Sequence, residues 1–397
     1  MPNKYLYRCS QCGKEYSKDE VTYLCPACSA DYKPGIPLPG VLEVIYDYIS
    51  LKQLYKREET NWNNFLPVEE KYLPNYSVGN TPFHKVINLG NYFGLTNLWI
   101  KNDGLNPSGS LKDRASYLVV AEANRLGINE VVAASTGNAA SSLSAVCAAA
   151  DKRAVIFLPA SAPKAKLVQN ILCGAKVIPV KGTYDDAFRL SLEYTSTKGG
   201  LNRNTAYHPF TIEGKKTVGL EMFWQNNYKT PDAVIVPVGD GVIITGVYKA
   251  FYDLKEMGII DKIPKLICVQ AESSSAIHNF VNSGIYKDAI NPNTIADSIS
   301  VTTPSNAILA KRAVEKSDGF SIAVTDDEII EGQKILAEKS GVFAEPSASV
   351  TVAAVKKLSQ QNILNKDEQI VLLITGHGLK DIDTPLRNIK MPEVQEL

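Results

Sequence analysis

The chain is 397 residues long, 45% hydrophobic and 21% charged, with 42 lysines and arginines against 42 aspartates and glutamates. That length exceeds what one core fills and predicts two domains with a small appendage, in a soluble globular protein. The balanced charge gives no basis for nucleic-acid or anionic-membrane partners, no apolar run reaches a membrane span, and the first residues lack the apolar core of a signal peptide; a cytoplasmic protein is the expectation.

Four of the seven cysteines fall in the first 28 residues, as Cys9 and Cys12, then Cys25 and Cys28. Two C-x-x-C turns at this spacing can close four thiolates around Zn²⁺, and a set with no open position implies a structural metal. Reduced free thiols are the alternative. Cys147, Cys173 and Cys268 sit in apolar stretches and read as core residues. The proline-rich connector PGIPLPG (34–40) follows, and 41–80 reads as irregular cover over a larger body.

In NPSGSLKDR (106–114), Lys112 stands between a turn of small hydroxyl residues and a helical run at 115–127. From there a regular rhythm begins. Strands are expected at 130–135, 154–159 and 176–181, with helices at 139–150, 163–174 and 184–196. A helix from 214 and one from 243 flank the strand at 233–238; strands at 265–270, 320–324 and 369–375 follow. Continuous apolar strands alternating with amphipathic helices predict an α/β fold: two open, mostly parallel twisted sheets, helices on both faces, and a cleft between them.

Ligands in such folds bind beyond the carboxyl ends of the strands, and three loops there carry polar groups. STGNAAS (135–141) offers Ser135, Thr136, Gly137 and Asn138 at a helix start, suited to a carboxylate; an ordinary helix cap is the alternative. In VGDGVIITG (238–246), Gly239 and Gly241 let the backbone approach an anion, with Asp240 expected to face outward to avoid repelling it. The third, LLITGHGLKD (372–381), ends its strand at Thr375, whose hydroxyl could meet a ring nitrogen.

Taken together, GNTP (79–82), LNPSGSLKDR, STGNAAS, IEGKKT (212–217), AEPSAS (344–349) and TGHGLKD resemble the fold type II pyridoxal-phosphate enzymes, and among them the threonine synthases. The resemblance implies that Lys112 carries the cofactor covalently and that Asn138 meets the ring hydroxyl. It also implies that the turn Gly239, Asp240, Gly241, Val242, Ile243 cradles the cofactor phosphate and that Thr375 faces the ring nitrogen. Substrate would lie against Ser135, Thr136, Gly137, His208 and Thr211. On this reading, 1–33 is a zinc-ribbon-like segment, 34–113 with 214–397 a large cofactor-binding domain, and 114–213 a small domain. A homodimer acting on a small amino acid is expected, with structural zinc on Cys9, Cys12, Cys25 and Cys28.

The implied activity is conversion of O-phosphohomoserine and water to threonine and phosphate. Where the synthases typically place an arginine on the substrate phosphate, this chain has Thr211 within NTAYHPFTIEG (204–214), with His208, Lys215 and Lys216 as neighbours able to compensate. An ammonia-lyase or β-replacement enzyme acting on serine or threonine therefore stays open, as does a ligand-binding protein without catalysis.

Overall fold

A computed structural model describes residues 5–33, 35–162 and 164–392. Pro163, the expected first residue of a helix, lies outside them. Three sheets organise the described residues. The largest runs in the order Phe320–Val324, Lys265–Ala271, Ala233–Pro237, Ile370–Ile374, Leu98–Asn102, Phe83–Lys85. All its pairings are parallel except the last, where the short edge strand runs antiparallel. A second, wholly parallel sheet has the order Lys176–Val180, Arg153–Pro159, Glu130–Ala134, Leu201–Asn202.

The central strands of the large sheet have every residue buried because both faces are covered. Along Ala233–Pro237, Val234 and Val236 join one apolar core while Ala233 and Ile235 join another. The strand Ile370–Ile374 alternates the same way, Val371 and Leu373 to one side, Ile370, Leu372 and Ile374 to the other. Period-two side chains in an uninterrupted apolar run produce this sandwich.

The third sheet corrects one expectation. Residues 41–80 are not all irregular, since Leu42–Tyr46 pairs antiparallel with Tyr5–Cys9, which also pairs with Glu15–Tyr16. The cysteine segment thus takes a strand from beyond the proline connector. It is tied to the body by the Tyr46 hydroxyl, which donates to Glu213 at 2.6 Å, and by Tyr48, which donates to Asp253 at 2.8 Å.

Helix Lys112–Leu126 begins at the lysine itself and ends on Gly127 in the left-handed conformation. Its opening turn is fixed by the two residues that follow Lys112. Asp113 accepts the Ser108 N–H at 2.8 Å as well as the Ser108 hydroxyl. Arg114 donates to Asp103 at 2.5 and 2.9 Å and to Glu221 at 2.8 Å. Glu221 lies on helix Phe210–Gln225, which crosses closely because Gly214 has no side chain: a Cβ there would stand 2.2 Å from the Arg114 carbonyl. No described helix is long and apolar enough to cross a membrane.

Candidate active site

The three loops converge on the start of helix Lys112–Leu126. The Leu111 N–H donates to the Thr375 carbonyl at 2.9 Å, and Ser110 bridges to Gly376, so the end of strand Ile370–Ile374 is fastened to the turn carrying Lys112. Thr375 is buried there. Helix Asn138–Ala149 begins at Asn138, whose amide donates to the two carboxylate oxygens of Glu345 at 3.2 and 2.9 Å. Ser135, Thr136 and Gly137 line its N-terminal end, half-buried. Gly241, at φ +88°, caps helix Val242–Glu256, where Val242 and Ile243 are buried. A Cβ on Gly239 would stand 2.9 Å from the Ile299 Cα, so the backbone runs where side chains cannot.

Lys112 is half-buried, and burial lowers the basicity of its amine; Glu345 and Asp240 pull the other way, while Arg203 adds to the lowering. Asp240 departs from expectation. Its carboxylate does not face away but lies within electrostatic reach of Lys215, Lys112 and Arg203, with a hydrogen bond from the Ser305 backbone. The Arg203 guanidinium, with the two lysine amines beside it, offsets the repulsion that an anion at the neighbouring turn would feel. Burial nonetheless raises the Asp240 pKa, as it does that of Glu345.

Two proposed substrate residues are placed differently from the others. Thr211 is fully buried, and its hydroxyl accepts the Ala206 N–H at 3.0 Å while donating to the His208 carbonyl at 2.8 Å. Both uses close the loop in which Ala206 adopts φ 61°, so Thr211 does not replace the missing arginine as an anion ligand. His208 is 1% exposed, its ring packed edge-on to Tyr23 at 5.8 Å and tilted against Phe210 at 5.2 Å. Its Nδ1 accepts the Phe210 N–H at 3.1 Å, and burial, with Arg203 nearby, pushes its pKa down to about 3. The ring is neutral at physiological pH.

Sequence reasoning missed Arg203 and left Glu345 without a role. Glu345 lay inside a quoted motif and could have been found there; Arg203 belongs to no spacing pattern, and only the fold brings it to the cleft. The buried polar atoms without partners include Ser110 Oγ and Ser305 Oγ beside these loops and Arg203 Nη2, as a site that receives a polar ligand requires. A lysine amine, a glycine turn at a helix start, an amide and a strand-end hydroxyl form a donor set that fits pyridoxal phosphate.

At the other end of the chain, Cys9, Cys12, Cys25 and Cys28 hold their sulfurs within 4.8 Å of one another. Cys9 to Cys28 and Cys12 to Cys25 each measure 3.8 Å, and the Gln11 and Cys12 N–H groups donate to Cys9 Sγ at 3.4 Å.

A family profile described as pyridoxal-phosphate dependent enzyme matches residues 75–376. The chain is 40% identical to threonine synthase of Methanocaldococcus jannaschii, covering 98% of this chain and 96% of that one, and 37% identical to threonine synthase of Methanosarcina acetivorans over the same shares. Among solved structures, the processed form of threonine deaminase isoform 2 from Solanum lycopersicum superposes with a TM-score of 0.67 at 21% identity, covering 80% of this chain and 95% of that one, a likeness of fold. By sequence along nearly its whole length and by the loops that surround Lys112, the chain belongs to the pyridoxal-phosphate dependent enzymes, in their threonine synthase branch.

Proposed function

We propose that the chain converts O-phosphohomoserine and water to threonine and phosphate, with Lys112 as the group that moves protons. The observation that carries this reading is the position of one amine of lowered basicity, on a turn fastened to Thr375 and within electrostatic reach of Glu345, the partner of Asn138, and of Asp240 in the glycine turn. Lys112, Asn138, Thr375 and the N–H groups of Gly239–Ile243 would hold the cofactor. Pyridoxal phosphate, when bound, supplies the electron sink that stabilises negative charge at the substrate Cα. The neutral hydroxyl of Thr375 keeps that sink moderate, which favours elimination and addition along the side chain over transamination.

The amine of Lys112, neutral over a wider range near physiological pH than an exposed lysine, takes the Cα proton and then a Cβ proton. The Cγ–O bond breaks and phosphate leaves with its electron pair, and a proton is returned at Cγ to make the methyl group. Water adds its hydroxyl at Cβ, and the last proton goes back to Cα, so that the two protons taken are both returned. Ser135, Thr136 and the N–H groups at the start of helix Asn138–Ala149 bind the α-carboxylate and keep the Cα–H bond aimed at the amine.

A structural zinc is the second part of the reading. A tetrahedral site with Zn–S bonds of about 2.3 Å has sulfur–sulfur edges of about 3.8 Å, which matches both measured pairs. The separations are far beyond a disulfide bond of about 2.05 Å, and N–H groups aimed at Cys9 favour a thiolate. The homodimer rests on the family resemblance.

Equal amounts of threonine and phosphate released from O-phosphohomoserine test the activity. Ammonia from serine or threonine, with no phosphate release, would replace it with the lyase reading that Thr211 leaves open.

A further inference from the structure

Arg203 is 1% exposed and makes no ion pair among the described residues. Its Nε donates to Ser116 Oγ at 3.2 Å and Nη1 to Thr205 Oγ1 at 3.4 Å, while Nη2 has no partner. Its hydrogen-bond partners are neutral hydroxyls, with the Asp240 and Asp113 carboxylates acting without contact, and burying a guanidinium so is unfavourable; burial brings its pKa down to about 10, still charged at neutral pH. A charge held at such cost is poised for an arriving anion.

Lys215 repeats the pattern. Its neighbour Lys216 is satisfied by Glu213 at 2.5 Å, Asp253 at 3.0 Å and the Phe65 carbonyl at 2.9 Å. One step round the helix, Lys215 is 2% exposed, makes no ion pair among the described residues, and lies within reach of Lys112, Arg203 and Asp240. His208 adds a third donor from the same loop. Because its Nδ1 accepts a hydrogen bond, the proton resides on Nε2, which is buried and unpartnered.

We infer that Arg203 and Lys215 form the phosphate-ester grip of this chain, replacing from a different position the arginine that Thr211 displaces. The identity of the ester rests on the O-phosphohomoserine reading above. A phosphate monoester carries about −1.5 to −2 near neutral pH and matches the Arg203 guanidinium with the Lys215 amine beside it, whose charged form burial and the neighbouring cations disfavour until an anion arrives. Asp240 lies within reach of both and Asp113 within reach of Arg203. The cofactor phosphate has its own seat in the Gly239–Ile243 turn at the large sheet. Arg203 instead extends the small sheet: it follows strand Leu201–Asn202, and its N–H donates to the Val132 carbonyl at 2.7 Å.

The experiment titrates cofactor-saturated protein, in which the cofactor phosphate seat is filled, with inorganic phosphate and with O-phosphohomoserine. Wild type is compared with Arg203→Met, Arg203→Lys and Lys215→Met. Arg203→Met is expected to raise the Tm without ligand, because an uncompensated charge is gone, and to weaken phosphate binding and raise KM roughly 100-fold, with a smaller effect on kcat. Arg203→Lys recovers part of the affinity, since an ammonium lacks the fork, and it serves as the comparison should the apolar variant not fold. Unchanged phosphate affinity with a lowered Tm would make Arg203 a packing residue and overturn the inference. Lost cofactor uptake with intact phosphate affinity would overturn it too, by assigning Arg203 to the cofactor. Should wild type bind phosphate through Arg203 yet release none from O-phosphohomoserine, the grip stands and the substrate reading fails. Turnover of that ester with KM unchanged in Arg203→Met sinks the grip alone.

Discussion

Asn138 and Glu345 meet across the cleft: the amide that begins a helix of the small sheet donates to both oxygens of a buried carboxylate at the head of helix Pro346–Gln360. The same carboxylate acts on Lys112, so the amide, the carboxylate and the amine are coupled. Glu345→Ala removes the charged acceptor and leaves the amide only Ser298 Oγ at 3.2 Å, at a cost of about 1–3 kcal/mol, and frees it to rotate away from the cofactor ring. Glu345→Gln keeps one acceptor and should lose less. Denaturant unfolding and cofactor titration on both variants check the order; equal losses would contradict it.

Acid stability should depend on Glu221. Burial alone would raise its pKa, but Arg114 and Lys101 outweigh that and hold it at about 2. Between that value and the unfolded carboxylate range near ~4.3, the folded state binds fewer protons than the unfolded one. The stabilisation is therefore complete above about pH 4.3 and is lost as pH falls toward 2, amounting to about 3 kcal/mol. Glu221→Gln should cost about 3–5 kcal/mol at pH 7 by leaving Lys101 without a carboxylate partner and Arg114 with Asp103 alone, and less at pH 3. Unfolding free energies across that range that run parallel for the two proteins would contradict the pairing.

Gly241→Ala should fold and yet bind the cofactor poorly. The residue sits at φ +88°, and an added Cβ would stand 2.7 Å from Ala310 Cβ and 3.0 Å from the Asn306 carbonyl. The left-handed conformation costs a side chain about 1–2 kcal/mol, and the crowding displaces the turn. A rise of at least roughly tenfold in the cofactor Kd corresponds to about 1.4 kcal/mol; an unchanged Kd would remove the turn from the site.

The cysteine cluster should act on the substrate loop from a distance. Tyr23, two residues before Cys25, accepts the Asn202 N–H at 3.0 Å and stacks on Tyr207 at 4.5 Å, flanking Arg203 and His208. Stripping zinc with a chelator is expected to lower the Tm and raise KM for O-phosphohomoserine while visible absorbance of the cofactor persists. Metal analysis that finds no zinc in protein purified without chelators would contradict the assignment.

The α/β rhythm was legible because strands buried on both faces write themselves as apolar runs, such as AVIVP and IVLLI. The strand Leu42–Tyr46 was not, since its alternation is short and its partner lies across a proline connector. Lys112, Asn138 and Thr375 stood out because each follows a strand or turn with small residues around it. Arg203 could not stand out: a lone arginine after a two-residue strand carries no periodic signal, and its meaning comes from what fails to neutralise it. Asp240 was misjudged for the same reason, as its outward placement assumed no cations nearby, whereas Lys215 and Arg203 arrive from other elements.

The most direct measurement is chemical trapping of the amine. Protein incubated with pyridoxal phosphate, reduced with borohydride and digested should yield a single modified peptide carrying the label on Lys112, and Lys112→Ala should lose both the label and the visible absorbance. A label on Lys215 or on surface lysines, with Lys112 unmodified, would contradict the account.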